Sequence, residues 1–220
     1  MTEAILFDLD GTLIDTAADM GGALNSLLLE EGHEPLPLDT IRPLVSQGGL
    51  VLTRLGFGDK VAEQEIEPLR QRFLQHYHAN VAHESKLFDG YADILDELEA
   101  RSIPWGIVTN KPEWLTRPLL EQLDLAQRSG VIIGGDTLAQ RKPHPLPLQV
   151  AAEQLQVSCN NCIYVGDDER DIVAGKAASM KTLVAAYGYI EDAVDIEDWE
   201  ADGVIDLPHD LLEHPLVGLV

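Results

Sequence analysis

Ala4-Ile5-Leu6-Phe7-Asp8-Leu9-Asp10-Gly11-Thr12-Leu13 is a short apolar run that stops at two aspartates one residue apart, followed by Gly-Thr. The run reads as a fully buried strand. Side chains at i and i+2 of an extended segment point the same way, so Asp8 and Asp10 are expected to converge at its end. Two neighbouring carboxylates repel each other, and the pair calls for a cation or a shared proton. Gly11 lets the chain turn away at once. Packing alone gives a buried strand little reason to end this way.

Outward from this stretch the chain changes character twice. Ala17 to Leu29 is rich in Ala and Leu, with acids near its start and Gly32 beyond its end, which predicts a helix. Pro35 and Pro37 break it. Asp39 and Thr40 are expected to cap a second helix through Leu44 and Val45, interrupted by Ser46-Gln47-Gly48-Gly49 and resumed over Leu50 to Leu55. Ile66, Leu69, Phe73, Leu74 and Tyr77 recur at helical spacing within Glu63 to Val81. No convincing strand is read between Asp15 and about Ser85. The expected division is therefore a core of residues 1–14 and 86–220 and a helical cap of residues 15–85.

After Leu87 the pattern alternates. Helices are expected over Tyr91 to Arg101, Pro112 to Leu123, Leu146 to Leu155 and Arg170 to Ala178, with Pro112 inside a tolerated first turn. Strands are expected over Trp105 to Val108, Val131 to Ile133, Cys162 to Val165, Thr182 to Ala186 and Val204 to Ile205. Such alternation predicts an α/β fold, a doubly wound parallel sheet with helices on both faces.

The chain has 220 residues, with 15 Lys and Arg against 38 Asp and Glu, a formal charge of -23. That length allows one α/β domain with a modest insertion and a sizeable core. Such acidity argues against nucleic acid and anionic membranes as partners, because both demand basic patches. An anionic small molecule is compatible only if a metal ion or a specific lysine offsets the local field. The N-terminal run is too short for a secretory signal and no stretch approaches membrane-spanning length. Two cysteines make no disulfide framework. The default location is cytoplasmic.

In an open parallel sheet, ligands bind beyond the carboxyl ends of the strands. There the sequence places Asp8 and Asp10, then Thr109-Asn110-Lys111, then Lys142-Pro143 after a Gly134-Gly135-Asp136 turn, then Gly166-Asp167-Asp168-Glu169-Arg170-Asp171. Asp167 and Asp171 are four apart and would share a face if a helix begins there. Carboxylates, one hydroxyl and one lysine suit a magnesium-assisted reaction on a phosphate ester.

Asp-x-Asp-Gly-Thr, then Thr-Asn, then Lys-Pro, then Gly-Asp-x-x-x-Asp, each after an expected strand, resembles the haloacid dehalogenase superfamily in its phosphatase branch. The likeness runs over almost the whole chain, including the helical insertion. It implies Asp8 as nucleophile and Asp10 as general acid and base. Thr109 and the Asn110 amide would hold the phosphoryl oxygens, and Lys142 would neutralise the charge between nucleophile and phosphoryl group. It also implies Mg2+ held by Asp8, Asp10 (through its carbonyl) and Asp167, with Asp171 orienting Lys142 or a metal-bound water.

Overall the chain is similar to bacterial phosphoglycolate phosphatases. His83 to Gly90 and Tyr187-Gly188-Tyr189-Ile190 resemble a subgroup that hydrolyses N-acetylmuramic acid 6-phosphate. A small phosphomonoester is then the expected partner. A mutase of the β-phosphoglucomutase type and a non-enzymatic phosphate-binding relative are the rival readings.

Within the cap, Ser46, Gln47, Gly48 and Gly49 are the candidates for substrate specificity, against a plain surface turn. Arg42 and Arg54 are candidates to meet a substrate carboxylate. Lys111 reads equally as a substrate contact or a solvated lysine. Cys159 and Cys162 read as structural, and His76, His78 and His83 as no metal site.

Overall fold

In the computed structural model of the chain, which describes residues 2–218, the opening stretch is the centre of the molecule. Strand β1 (Ala4–Phe7) pairs in parallel with β4 (Trp105–Val108) on one side and β6 (Cys162–Gly166) on the other. With β5 (Val131–Ile133), β7 (Lys181–Ala185) and β8 (Gly203–Ile205) they form one six-stranded parallel sheet in the order β5-β4-β1-β6-β7-β8. All four residues of β1 are fully buried. Ile5 and Phe7 enter one hydrophobic cluster while Ala4 and Leu6 enter the other, as the two-residue period demands of a strand covered on both faces. Each large apolar side chain so buried contributes roughly 1.5–3 kcal/mol.

Helices α5 (Tyr91–Ala100), α6 (Glu113–Gln122), α7 (Leu146–Gln154) and α8 (Glu169–Ala177) connect successive strands and cover the sheet. The chain runs outward from β1 to β4 and β5, then crosses to β6 and runs outward the other way. The order reverses beside β1, and that is where an open sheet offers a crevice.

Between β1 and the rest lies a helical segment of α1 (Ala17–Glu30), α2 (Leu38–Ile41), a 3-10 turn (Arg42–Gln47), α3 (Gly49–Phe57) and α4 (Glu63–Ala79). Leu24, Leu27 and Leu28 of α1 and Phe73 and Tyr77 of α4 are buried in the cluster that also holds Ile5 and Phe7. The two chain connections to this segment are tied together. β2 (Ile14–Asp15) pairs antiparallel with β3 (Lys86–Leu87), and the Asp19 carboxylate accepts from the Glu84 amide, the Ser85 amide and the Ser85 hydroxyl.

Some expectations change in detail. The strand ends at Phe7 and the chain turns from Leu9, whose carbonyl accepts from the Leu13 and Ile14 amides. The second helix stops at Ile41 and the chain tightens into the 3-10 turn, whose first turn holds Pro43. Pro112 precedes its helix rather than entering it, with an extended ψ of 143°. The short β2–β3 pair had no signal, since two-residue strands carry no period. No helix among the described residues is long and apolar enough to cross a membrane.

Candidate active site

The carboxyl ends of β1, β4 and β6 and the loop after β5 converge on one cavity of about 250 Å³, closed on its far side by the helical segment. Asp8 continues the sheet ladder, its amide donating to the Val165 carbonyl at 2.9 Å. Lys142 is buried beside it. Its Nζ lies 2.8 Å from Asp8 Oδ1 and donates to Asp171 Oδ1 at 2.7 Å and to the Tyr164 hydroxyl at 2.8 Å. The Asp8 contact is ionic without hydrogen-bond alignment, and Asp8 Oδ1 is buried with no hydrogen-bond donor. Asp8 Oδ1 is thus held by one charge contact alone. Burial alone would strip Lys142 of its proton; Asp171 and Asp8 outweigh it and hold the ammonium charged.

Asp167 sits at the end of β6, before α8 begins at Glu169. The supposed shared helix face is therefore absent. Asp167 and Asp171 instead meet because the turn folds back: carboxylate oxygens of Asp8, Asp167 and Asp171 all lie within 4.8 Å of one another. Burial first, then the charges of Asp8 and Asp171, push the Asp167 carboxyl up to about 8. Two glycines make room for it. A Cβ on Gly11, whose φ is +84°, would lie 2.1 Å from Asp167 Oδ2, and one on Gly188 would lie 2.3 Å from Asp167 Cβ.

The donor set is suited to a hard divalent cation. Asp171 is already committed, one oxygen to Lys142 and Tyr164 and the other to the Asp168 amide. Asp8 and Asp167, together with the Asp10 carbonyl that Ser46 Oγ bridges to Asp167, are the oxygen donors that would hold Mg2+.

Asp10 also lines the cavity, but its partners differ from those of Asp8. Oδ1 accepts from Thr16 Oγ1 at 2.6 Å and from Lys111 Nζ at 2.8 Å. Lys111 is therefore not solvated. It is buried, stands 4.3 Å from the centre of the Tyr77 ring on α4, and is held charged because Asp10 overcomes its burial. Thr109 and Asn110 line the same cavity, and Asn110 Nδ2 of the side chain donates to the Lys142 carbonyl at 3.0 Å, fixing the backbone that carries the lysine.

From the helical side, Ser46, Gln47, Gly48 and Gly49 all face the cavity. Ser46 Oγ donates to Asp167 Oδ2 at 2.7 Å and lies 3.1 Å from the Asp10 carbonyl. Arg170 forks onto Asp168 and donates a third bond to the Ser46 carbonyl at 2.8 Å. Although burial works the other way, Arg170 holds the Asp168 carboxyl below its ordinary range. Asp168 is thus the helix cap and the anchor of this latch.

Arg42 and Arg54 do not reach the cavity. Arg42 pairs with Asp15 and stacks on Tyr189, and Arg54 pairs with Glu63. Arg70, Arg141 and Arg170 line it instead. Sequence reading missed these three, together with Tyr164 and the Tyr189 amide that donates to Asp167. Only Arg141 carried a usable signal, its place beside Lys142. No histidine joins a metal-ligand cluster among the described residues, and both cysteines are free thiols.

The family model described as haloacid dehalogenase-like hydrolase matches residues 5–185. A phosphoglycolate phosphatase of Xanthomonas campestris pv. campestris is 46% identical over 212 residues, 96% of this chain and 95% of that protein. An N-acetylmuramic acid 6-phosphate phosphatase of Pseudomonas aeruginosa is 36% identical over 211 residues, 96% of this chain and 93% of that protein. The crystal structure of a predicted phosphoglycolate phosphatase from Haemophilus somnus 129pt superposes with a TM-score of 0.86 at 26% identity, covering 96% of this chain and 97% of that one. The chain belongs to the haloacid dehalogenase-like hydrolase family. Within it, the chain is a phosphatase, an enzyme of phosphoric monoester hydrolysis.

Proposed function

We propose that the chain hydrolyses a small, carboxylate-bearing phosphomonoester in a Mg2+-dependent reaction through an aspartyl-phosphate on Asp8. The observation that carries this reading is the buried, unspent Asp8 oxygen 2.8 Å from the Lys142 ammonium. Asp8 attacks phosphorus, and the bond to the leaving oxygen breaks as Asp10 gives that oxygen its proton. Asp10, again a carboxylate, then takes a proton from the water that attacks the phosphoryl group, which releases phosphate and frees Asp8. Thr109 and the Asn110 amide hold phosphoryl oxygens. Lys142, kept charged and aimed by Asp171, offsets the negative charge that gathers on them. Asp8, the Asp10 carbonyl and Asp167 would hold the metal, which supplies charge neutralisation at the phosphoryl oxygens. In this reading residues 1–14 and 86–220 are the catalytic core and residues 15–85 a cap that excludes water, within the cytoplasm.

The candidate substrates are 2-phosphoglycolate and N-acetylmuramic acid 6-phosphate, those of the relatives named above. Met20, Val45, Leu50, Val51, Leu74 and Leu115 give the cavity an extended apolar wall. A two-carbon glycolate body cannot cover it, whereas the methyl groups of the muramic acid can, which favours the sugar and a place in cell-wall recycling. The test is phosphate release with Mg2+ from each, with Asp8→Asn as the blank. Strong preference for the sugar supports this choice. Preference for phosphoglycolate reverses it, and turnover of a bisphosphate-primed sugar with little phosphate release would make the enzyme a mutase.

A further inference from the structure

The chain carries 15 cationic side chains amid 38 acidic ones. Among the described residues, thirteen of the fifteen pair with a carboxylate. Lys60 donates to the Gly56 carbonyl. Arg141 alone has neither an ion pair nor a side-chain hydrogen bond there. With so many carboxylates available, an unpaired arginine on an arbitrary surface would be unexceptional. This one lines the cavity, directly beside Lys142.

The other cations of the cavity wall are spent. Arg70 forks onto Glu67 of its own helix, Arg170 onto Asp168, Lys111 onto Asp10, and Lys142 onto Asp171 and Asp8. Arg141 keeps all its donors, in a planar fork that matches a carboxylate. Its backbone is nonetheless fixed. The His144 amide donates to the Arg141 carbonyl at 2.9 Å, and Asn110 holds the next carbonyl, that of Lys142. Arg141 is exposed at the cavity wall, with an anchored backbone and a guanidinium free to take an anion, and the neighbouring lysine already serves the phosphoryl end.

We infer that Arg141 binds the carboxylate of the substrate and is the residue that makes the enzyme prefer carboxylate-bearing phosphomonoesters. This rests on the hydrolase reading above. It also gives to Arg141 the role for which Arg42 and Arg54 were the sequence candidates.

The experiment compares two matched pairs of esters: 2-phosphoglycolate with 2-hydroxyethyl phosphate, and N-acetylmuramic acid 6-phosphate with N-acetylglucosamine 6-phosphate. Within each pair only one member has the carboxylate. The readout is the ratio of kcat/KM between the members, for wild type, Arg141→Gln, Arg141→Lys and Arg117→Gln. Arg117→Gln removes the same charge from an arginine that pairs with Glu113 away from the cavity. The expected result is a preference that falls about 10–100-fold in Arg141→Gln, mostly through KM. Arg141→Lys should retain part of it and Arg117→Gln all of it. An unchanged ratio in Arg141→Gln, or an equal fall in Arg117→Gln, overturns the inference. If wild type hydrolyses these esters without preferring the carboxylate, the inference fails and the hydrolase reading stands. If it hydrolyses none of them with Mg2+, both fail.

Discussion

The two sides of the cavity are built on different terms. On the sheet side Lys142, Asp10 and Asp167 are each held by more than one neighbour. Lys142 touches Tyr164, Asp171 and Asp8, and Asp167 accepts from Thr12, Ser46 and the Tyr189 amide. On the helical side the contact with this cluster narrows to one turn, Ser46 to Gly49, latched by a hydroxyl and by Arg170. The sheet side fixes positions with little tolerance for error, as attack on phosphorus requires. Behind that turn the helical side packs on the sheet through the shared hydrophobic cluster, the Lys111–Tyr77 contact and the two tied connections.

The largest effect should come from the sheet side. Asp8→Asn is expected to lower turnover by at least about 10⁴-fold, the scale on which removing a nucleophile acts, while thermal stability is kept or rises because a crowded charge is gone. Phosphate release beside a melting curve checks both halves. Residual activity near wild type would deny Asp8 its role.

Lys142→Ala tests whether this side is as interdependent as its contacts indicate. It leaves Asp8 and Asp171 buried without their counter-ion, and a loss of roughly 3–5 kcal/mol of stability is expected, measured by urea unfolding. A loss below about 1 kcal/mol, within the range of an exposed pair, would mean that the cluster relaxes freely.

The metal should also act through this side. In the metal-free fold the Asp167 carboxyl is raised to about 8, above its unfolded value near 3.8. A raised acid holds its proton better folded than unfolded, so this group costs stability increasingly as pH climbs from about 4 to 8. Mg2+ binding displaces that proton and is favoured over the same window. The rise in Tm on adding Mg2+ should therefore be larger at pH 8 than at pH 6. At a hundredfold excess over Kd it should be about 5–10 °C. A pH-independent increment would place the metal away from Asp167.

The smallest effect should come from the latch. Ser46→Ala removes one bond to Asp167 and the contact with the Asp10 carbonyl, worth about 1–2 kcal/mol, and KM should rise a few-fold more than kcat falls. A larger fall in kcat than in KM would move Ser46 from the closing wall into the chemistry.

The strands at the sheet centre were legible because burial on both faces writes continuous apolar runs. Trp105 to Val108, beside the central strand, is found where the sequence places it, as is the edge strand Val131 to Ile133. The cavity residues beyond the strand ends were legible for a related reason: polar side chains at the ends of such runs have no packing purpose. Lys111 was ambiguous because a sequence does not say whether a lysine at a helix start faces water or Asp10. Arg42 and Arg54 misled because proximity in sequence to Ser46 says nothing of the helix face they occupy. Arg70 and Tyr164 gave no sign at all, since each looks like an ordinary member of an amphipathic helix or a buried strand.

By itself the sequence determined the parallel α/β architecture and placed Asp8, Asp10, Thr109 and Asp167 just beyond strand ends and Lys142 in the loop after β5, because apolar period and chain order are local properties. Only the tertiary structure decided how those groups are shared out. It gave Lys142 to Asp8 and Asp171, Lys111 to Asp10, and Ser46 to Asp167, and it left Arg141 unpaired. Pairing depends on distances between residues far apart in the chain, and those exist only once the sheet has wound and the helical segment has folded over it.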